Sequence, residues 1–184
     1  MLWIIWVLVA VLALIVIMFI SYFNKFIVLS NRVDNSLSQI DVQLRKRADL
    51  VPNLLNSVKG YTKHEKAMVT KVTEARKALL GAKDIVGKMK AGNQLQSALK
   101  SVFALAENYP QLRANENFLH LQQELSAIED KVAYSRQFYN DSILDYNNSV
   151  KVFPGIIFAG IFNKKEKPYL KIPEEKRAVP KVEF

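Results

Sequence analysis

The chain has 184 residues, a formal net charge of +9 and no cysteine. The absence of cysteine excludes disulfides, a thiolate nucleophile and thiolate metal ligands. Its basic residues are not interleaved with stacking aromatic residues and no nucleic-acid-binding motif is present, so nucleic acid is not an expected partner.

The chain opens with an apolar run at residues 2–20 that contains no charge, proline or glycine. A hydrocarbon core of about 30 Å needs about 20 apolar residues in a helix, so residues 1–23 are predicted to form a single-pass transmembrane anchor. A cleaved signal peptide is disfavoured because no basic segment precedes the run and no Ala-x-Ala site follows it. The predicted anchor residues are Leu2, Trp3, Trp6, Leu12, Ile20 and Tyr22.

The orientation of the anchor is predicted from the basic residues that flank it. Lys25, Arg32 and the cluster at 45–47 all follow the apolar run. The positive-inside tendency therefore favours an outside amino terminus, a cytoplasmic body and a location in the cell (inner) membrane.

Charge is unevenly distributed along the rest of the chain. Residues 21–91 carry 14 Lys or Arg against 6 Asp or Glu, whereas residues 92–150 carry 4 against 7. The basic and acidic parts can face each other within the fold or between subunits. Solvated helix faces and attraction to anionic lipid headgroups are the other interpretations.

Apolar residues at helical spacing predict that the anchor continues into a long amphipathic helix. Arg47 occupies one position of this seam, and Pro52 predicts a kink without ending the helix, because the apolar phase continues beyond it. We expect the helix to end near Gly60. The seam consists of Phe26, Leu29, Val33, Leu37, Ile40, Leu44, Val51, Leu54 and Val58.

Three further helices are predicted. A capping box at residues 62–65 begins the second, which ends at Gly81, and residues 82–92 are predicted to be a flexible loop. Asn93 with Gln96 repeats the capping pattern for a third helix that Pro110 closes. The fourth, residues 115–153, has a partly polar heptad seam that calls for a partner helix: Phe118, Leu121, Leu125, Ile128, Val132, Ser135, Tyr139, Ser142, Tyr146, Ser149 and Phe153.

These elements predict an all-α fold, in which a single-pass transmembrane helix continues into an antiparallel up-down bundle of about four helices with an extended C-terminal tail. The predicted regions are an anchor (1–23), a bundle (24–153), and an apolar segment with a charged tail (154–184). The first and fourth helices have similar predicted lengths outside the bilayer, about 60 Å, so the fourth helix should end near the membrane.

The ten apolar residues that follow are too few to span a bilayer. They are predicted either to cap the open end of the bundle or to form an interfacial dip or inter-subunit plug, with lysines at headgroup level. The tail from Glu166 is expected to be extended and mobile, or wrapped on a neighbour. The predicted membrane or inter-subunit contact residues are Phe153, Ile156, Ile157, Phe158, Ile161, Phe162, Lys164 and Lys165.

Recognisable catalytic and metal-binding patterns do not occur in the sequence. His64-Glu65 is followed by Met68 where a zinc-protease helix has its second histidine, and His120 is predicted to be an edge residue of the fourth helix. Asp34, Asp41 and Asp49 lie near one side of the first helix with Arg45 and Lys59, which favours ion pairing over catalysis. We therefore expect no enzyme activity, no metal and no cofactor.

The sequence resembles the LemA family over residues 31–184. The resemblance is carried by residues 31–35 (NRVDN), 39–44 (QIDVQL), 51–54 (VPNL), 58–61 (VKGY), 63–65 (KHE), 74–76 (EAR), 114–118 (ANENF), 134–140 (YSRQFYN) and 179–184 (VPKVEF). It implies a prokaryotic membrane protein with one amino-terminal helix and a helical body, without a catalytic activity or site residues. Leu37, where tryptophan is usual, and Ala48, where an aromatic residue is common, depart from the pattern.

Two hypotheses of function remain. The first is a membrane-anchored helical scaffold that self-assembles, in contact with membrane lipid and other copies of itself, and so shapes or organises the membrane. The alternative is a membrane-tethered adaptor whose bundle binds another, unidentified envelope protein.

Overall fold

A computed structural model describes residues 2–60 and 66–170. It contains helices α1 (Leu2–Lys59), α2 (Lys66–Gly81), α3 (Ile85–Ala106), α4 (Pro110–Arg113), α5 (Glu116–Lys151) and α6 (Gly155–Ile161). No strand occurs in these two ranges. The predicted all-α fold with one long apolar amino-terminal helix is confirmed, and α4 and α6 are short additional helices.

The described residues group into two compact units. The first comprises residues 2–35 and 138–170, and the second comprises residues 36–60 and 66–137. The second unit has an apolar core that its segments of α1, α3 and α5 supply. Ile40, Leu44, Leu95, Val102 and Phe118 are each at most 2% exposed there.

Helix α1 continues past Pro52 as predicted, and a side chain of α2 replaces the hydrogen bond that the proline cannot donate. Pro52 has no N–H to donate to the carbonyl four residues back, which is that of the fully buried Ala48. The Arg76 Nε of α2 donates to this carbonyl oxygen at 2.8 Å instead. A side chain thus replaces the backbone bond that Pro52 removes.

Replacing Arg76 by methionine is therefore expected to lower the free energy of unfolding by about 1–3 kcal/mol, the cost of an unpaired buried acceptor. Denaturant unfolding followed by circular dichroism measures the change. The exposed neighbour Lys77 provides the matched control, Lys77→Met. Equal stability of the two variants would show that the Ala48 carbonyl finds another donor.

The predicted loop at 82–92 is wrong, because α3 begins at Ile85. Asp84 is its N-cap, and the backbone N–H of Gly87 donates to the Asp84 carboxylate at 2.8 Å. Gly92 is buried inside the helix, where an added Cβ would lie 2.8 Å from Leu44 Cδ2. The glycine therefore serves close packing of α3 on α1, and Asn93 is not a cap.

The ends of α3 and α5 differ from the predicted boundaries, and the predicted start of the second helix lies outside the described residues. Helix α3 ends at Ala106, and Pro110 is the first residue of α4, a position where its missing N–H is harmless. Asn115 precedes α5 and accepts a hydrogen bond from the Phe118 N–H at 3.1 Å, and α5 ends at Lys151. The predicted capping box at 62–65 falls outside the described residues.

The heptad seam of α5 finds its partners within this chain. Every seam residue from Phe118 to Ser149 is at most 8% exposed, whereas Phe153 is 76% exposed. The rest of this chain therefore covers the seam of α5, and no second copy is required to bury it. Contacts between copies would have to use another surface.

Candidate membrane-interface site

The first unit contains the apolar anchor segment. Among the described residues, α1 is the one helix whose length and composition allow it to cross a membrane, and none of its most apolar window is buried. Of the predicted anchor residues, Leu2, Trp3, Trp6, Leu12 and Ile20 are each more than half exposed. The anchor surface is therefore free to contact lipid.

At the end of this segment α6 packs against α1 through a cluster of aromatic rings. The ring of Phe158 stacks on Tyr22 with centroids 4.7 Å apart, and Phe162 lies 4.8 Å from Phe19 and 5.3 Å from Phe23. Spacings of three and four residues place the α1 members on one face of the helix. We call this set the aromatic cluster: Phe19, Tyr22, Phe23, Phe26, Phe158 and Phe162.

Gly155 permits the close approach of α6 to the end of α5. An added Cβ at this position would lie 2.1 Å from the backbone oxygen of Ser149. A side chain there would force the two segments apart, so a glycine is required. This close approach accompanies the packing of Phe158 and Phe162 on α1.

Helix α6 divides the predicted contact residues between two surfaces. Phe158 is 9% exposed and Phe162 is half-buried, both against α1. Three large apolar side chains of α6 are exposed, Ile156 (53%), Ile157 (52%) and Ile161 (60%), and so is Phe153 (76%), which lies two residues before the helix. We call these four residues the apolar face. Contact of this face with lipid or another subunit stays a prediction.

Basic residues border the apolar face. Lys164 is half-buried and Lys165 is exposed just after α6, and Lys25 lies 5.7 Å from the Tyr22 ring centroid. Lys25 also lines a cleft of about 440 Å³, whose other lining residues are Tyr22, Leu29, Asp145, Asn148, Ser149, Val152, Phe153 and Gly155. Apolar and basic groups side by side match the chemistry of a lipid headgroup region.

The segment after α6 lies extended on α5 and is held there by two asparagines. The Asn147 side chain accepts from the Lys167 N–H and donates to the Lys167 carbonyl, both at 2.9 Å. Asn140 makes the same pair of bonds with Leu170, at 3.0 and 3.2 Å. Seven residues of helix and three of extended chain both advance about 10 Å, so the two pairs are in register. We call them the asparagine clamp.

The side chain of Lys167 reinforces the clamp. Its Nζ lies 3.0 Å from the Ser30 hydroxyl, 3.9 Å from the Asp34 carboxylate and 5.0 Å from the Tyr146 ring centroid. Nearby, Lys151 and Glu166 form an ion pair at 2.7 Å. Residues 166–170 thus pack on their own chain, so the expected mobility or contact with a neighbour does not hold for them. The same expectation for residues 171–184 lies outside the described residues.

Two tyrosines of α5 on this side of the first unit are held in the neutral form. Burial and, to a smaller extent, the charge of Asp34 raise the pKa of Tyr139, and burial raises the pKa of Tyr146. Both phenols therefore stay protonated at neutral pH, and Tyr146 presents an uncharged ring to Lys167.

Some of the charged residues singled out in the sequence have partners that the sequence did not predict. Lys167 lies 3.9 Å from the Asp34 carboxylate, and Asp41 pairs with Lys88 at 2.6 Å. His120 is exposed, with its Nδ1 4.0 Å from Glu124. Sequence reasoning did not find the asparagine clamp, although the seven-residue spacing of Asn140 and Asn147 on one helix face was an available signal.

The chain is similar in sequence to several known proteins. The chain is similar to Protein LemA of Metamycoplasma hominis (24% identical, covering 67% of this chain and 57% of that protein). It is also similar to Magnetosome protein MamQ of Magnetospirillum gryphiswaldense (21%) and Magnetosome protein MamQ 2 of Paramagnetospirillum magneticum (23%), covering 80% of this chain and 64% of each relative. The chain thus spans about six tenths of the length of these relatives.

The family match extends over most of the chain. Residues 36–184 match the LemA family, a range that includes the second unit, α6 and the asparagine clamp. With its span-length apolar helix, the chain is a membrane-associated helical protein. It belongs to the LemA family.

Proposed function

We propose that this protein is a membrane-anchored helical scaffold that self-assembles on the cell membrane and thereby organises or shapes it. The observation that carries the proposal is the apolar face of α6, exposed beside the aromatic cluster at the end of the anchor segment. The amino terminus is outside and the helical body is cytoplasmic. The protein acts through assembly and has no catalytic activity.

Energetics favour contact between the apolar face and the bilayer. Full burial of a large apolar side chain contributes about 1.5–3 kcal/mol, so four of them contribute several kcal/mol even when only partly buried. The stacking of Phe158 on Tyr22 fixes α6 to the anchor helix. An apolar helix lying in one leaflet displaces lipid on one side of the membrane, which is a means of curving it.

Lateral contact between copies is supported by a second apolar surface. Just beyond the anchor segment, Ile27 is 39% and Val28 is 59% exposed on α1. These two residues add exposed apolar area to that of the apolar face. Copies confined to one membrane can bury these residues against each other. The magnetosome relatives carry names that refer to a cellular structure, in agreement with an organising role.

The membrane position of α6 is tested by a fluorescent label at Ile157. Because the chain has no cysteine, Ile157→Cys provides a unique site for an NBD probe on full-length protein in lipid nanodiscs. We expect blue-shifted emission and strong quenching by lipids spin-labelled near the headgroup. The control is Leu144→Cys, whose side chain is similarly exposed (47%) but lies about two turns before the end of α5. Water-like emission at both positions would contradict the proposal.

A further inference from the structure

A buried arginine interrupts the apolar core of the second unit. Arg47 is 2% exposed, and the one hydrogen bond that it makes with the described residues is a long one, from Nη1 to the Gly92 carbonyl at 3.5 Å. A guanidinium is a planar group with several N–H donors and remains charged in proteins. Most of the hydrogen-bonding capacity of Arg47 is therefore not used by the protein.

A second guanidinium lies close to the first. Arg136 Nη2 donates to the Asn93 side chain at 2.9 Å, while its Nε is buried without a hydrogen-bond partner. Burial lowers the pKa of both arginines, and the charge of Arg47 lowers that of Arg136 further, whereas Glu129 raises both. The two cations thus share one carboxylate.

Glu129 does not form a contact ion pair with either arginine. Among the residues the structure describes, no carboxylate oxygen lies within 4.0 Å of the Arg47 or Arg136 nitrogens. A buried charge without a close partner costs several kcal/mol. The cluster of Arg47, Arg136 and Glu129 therefore carries an excess positive charge that a bound anion would neutralise.

A cavity beside Arg47 has room for such an anion. Its volume is about 160 Å³, and α1, α3 and α5 all contribute to its wall. Lys100 adds a further cation, and Gln122 and Ser126 add hydrogen-bonding groups. The lining is completed by Gln96, Leu99, Phe103, Leu125 and Glu129.

We propose that this cavity binds a small oxyanion of the size of inorganic phosphate, with Arg47 as its principal ligand. Such an ion has enough oxygens to accept from Arg47 and Lys100 together. The cavity is too small for the acyl chains of a phospholipid, so the ligand is a free anion. The site is independent of the apolar face and does not rest on the proposed scaffold function.

The test is calorimetric titration of full-length protein in a neutral detergent with inorganic phosphate at constant ionic strength. We expect one saturable site. Arg47→Met should weaken it by at least about tenfold, because charge-assisted hydrogen bonds are lost. The matched control is Arg45→Met, which removes an exposed arginine two residues away on α1 and should leave binding unchanged. Phosphatidylglycerol added in micelles without phosphate should give no saturable heat at this site.

Ser126→Leu covers the case in which Arg47→Met does not fold. Ser126 is exposed at the edge of the cavity, so a larger side chain should narrow the cavity and reduce binding with every charge retained. Circular dichroism checks the fold of each variant. The proposal is overturned if wild-type protein shows no saturable heat with phosphate, if the Arg45 and Arg47 variants bind equally, or if only phosphatidylglycerol binds.

Discussion

Replacing Asn140 and Asn147 together by alanine is expected to release residues 165–170 from α5. The double variant removes four hydrogen bonds between the two side chains and the main chain of the tail. At about 0.5–1.5 kcal/mol each, their loss weakens docking by about 2–6 kcal/mol. Alanine is a better helix former than asparagine, so α5 itself should remain intact.

Hydrogen–deuterium exchange measures this release directly. The Lys167 and Leu170 amides donate to the asparagine side chains, so their exchange should accelerate by at least about tenfold in the double variant. Asn148→Ala is the matched control, since Asn148 is an exposed asparagine beside the clamp. Unchanged protection of the tail in the double variant would show that the Lys167 side chain and the Lys151–Glu166 ion pair hold it without the clamp.

The second large effect is expected from placing charge on the apolar face. Ile156→Glu combined with Ile157→Glu changes two residues that are about half exposed, so the fold has no need of them. Two carboxylates make interfacial burial unfavourable by several kcal/mol. We expect α6 to leave the lipid interface and the multi-subunit assembly to dissociate, while α1 still anchors the protein.

Particle mass in native-lipid nanodiscs and helix content by circular dichroism together measure this effect. Leu144→Glu, which places one carboxylate on the exposed surface of α5, should leave both unchanged. Phe158→Glu is expected to act through the fold and not through the exposed surface. Phe158 is buried against Tyr22, so its replacement disrupts the packing of α6 on α1. Assemblies of wild-type size in the double glutamate variant would mean that the apolar face does not join subunits.

The helical periodicity of the sequence predicted the long elements well. The α1 seam predicted a helix continuing through Pro52, and the α5 seam predicted the buried residues of that helix, because burial in a bundle follows the helical repeat. The start of α3 was missed because Gly87 and Gly92 suggested a loop. Asp84 caps that helix and Leu44 packs on Gly92, and the second of these is a tertiary contact that local sequence does not reveal.

The functional surfaces were predictable only in part. The apolar composition of residues 153–162 indicated a special role, but the division of α6 into a packed side and an exposed side depends on its contacts with the aromatic cluster. The asparagine clamp binds main-chain groups of the tail, so it requires few particular side chains there, and the tail sequence does not predict it. Arg47 stood out as an interruption of the seam, but its proximity to Arg136 arises from the tertiary fold.

Electron microscopy of the full-length protein, extracted gently and kept with native lipid, tests the central claim most directly. The scaffold account predicts closed or layered particles of many copies, with the apolar face of each copy at the lipid boundary or at a contact between copies. Uniform single-copy particles, with the apolar face covered by neither lipid nor another copy, would contradict it.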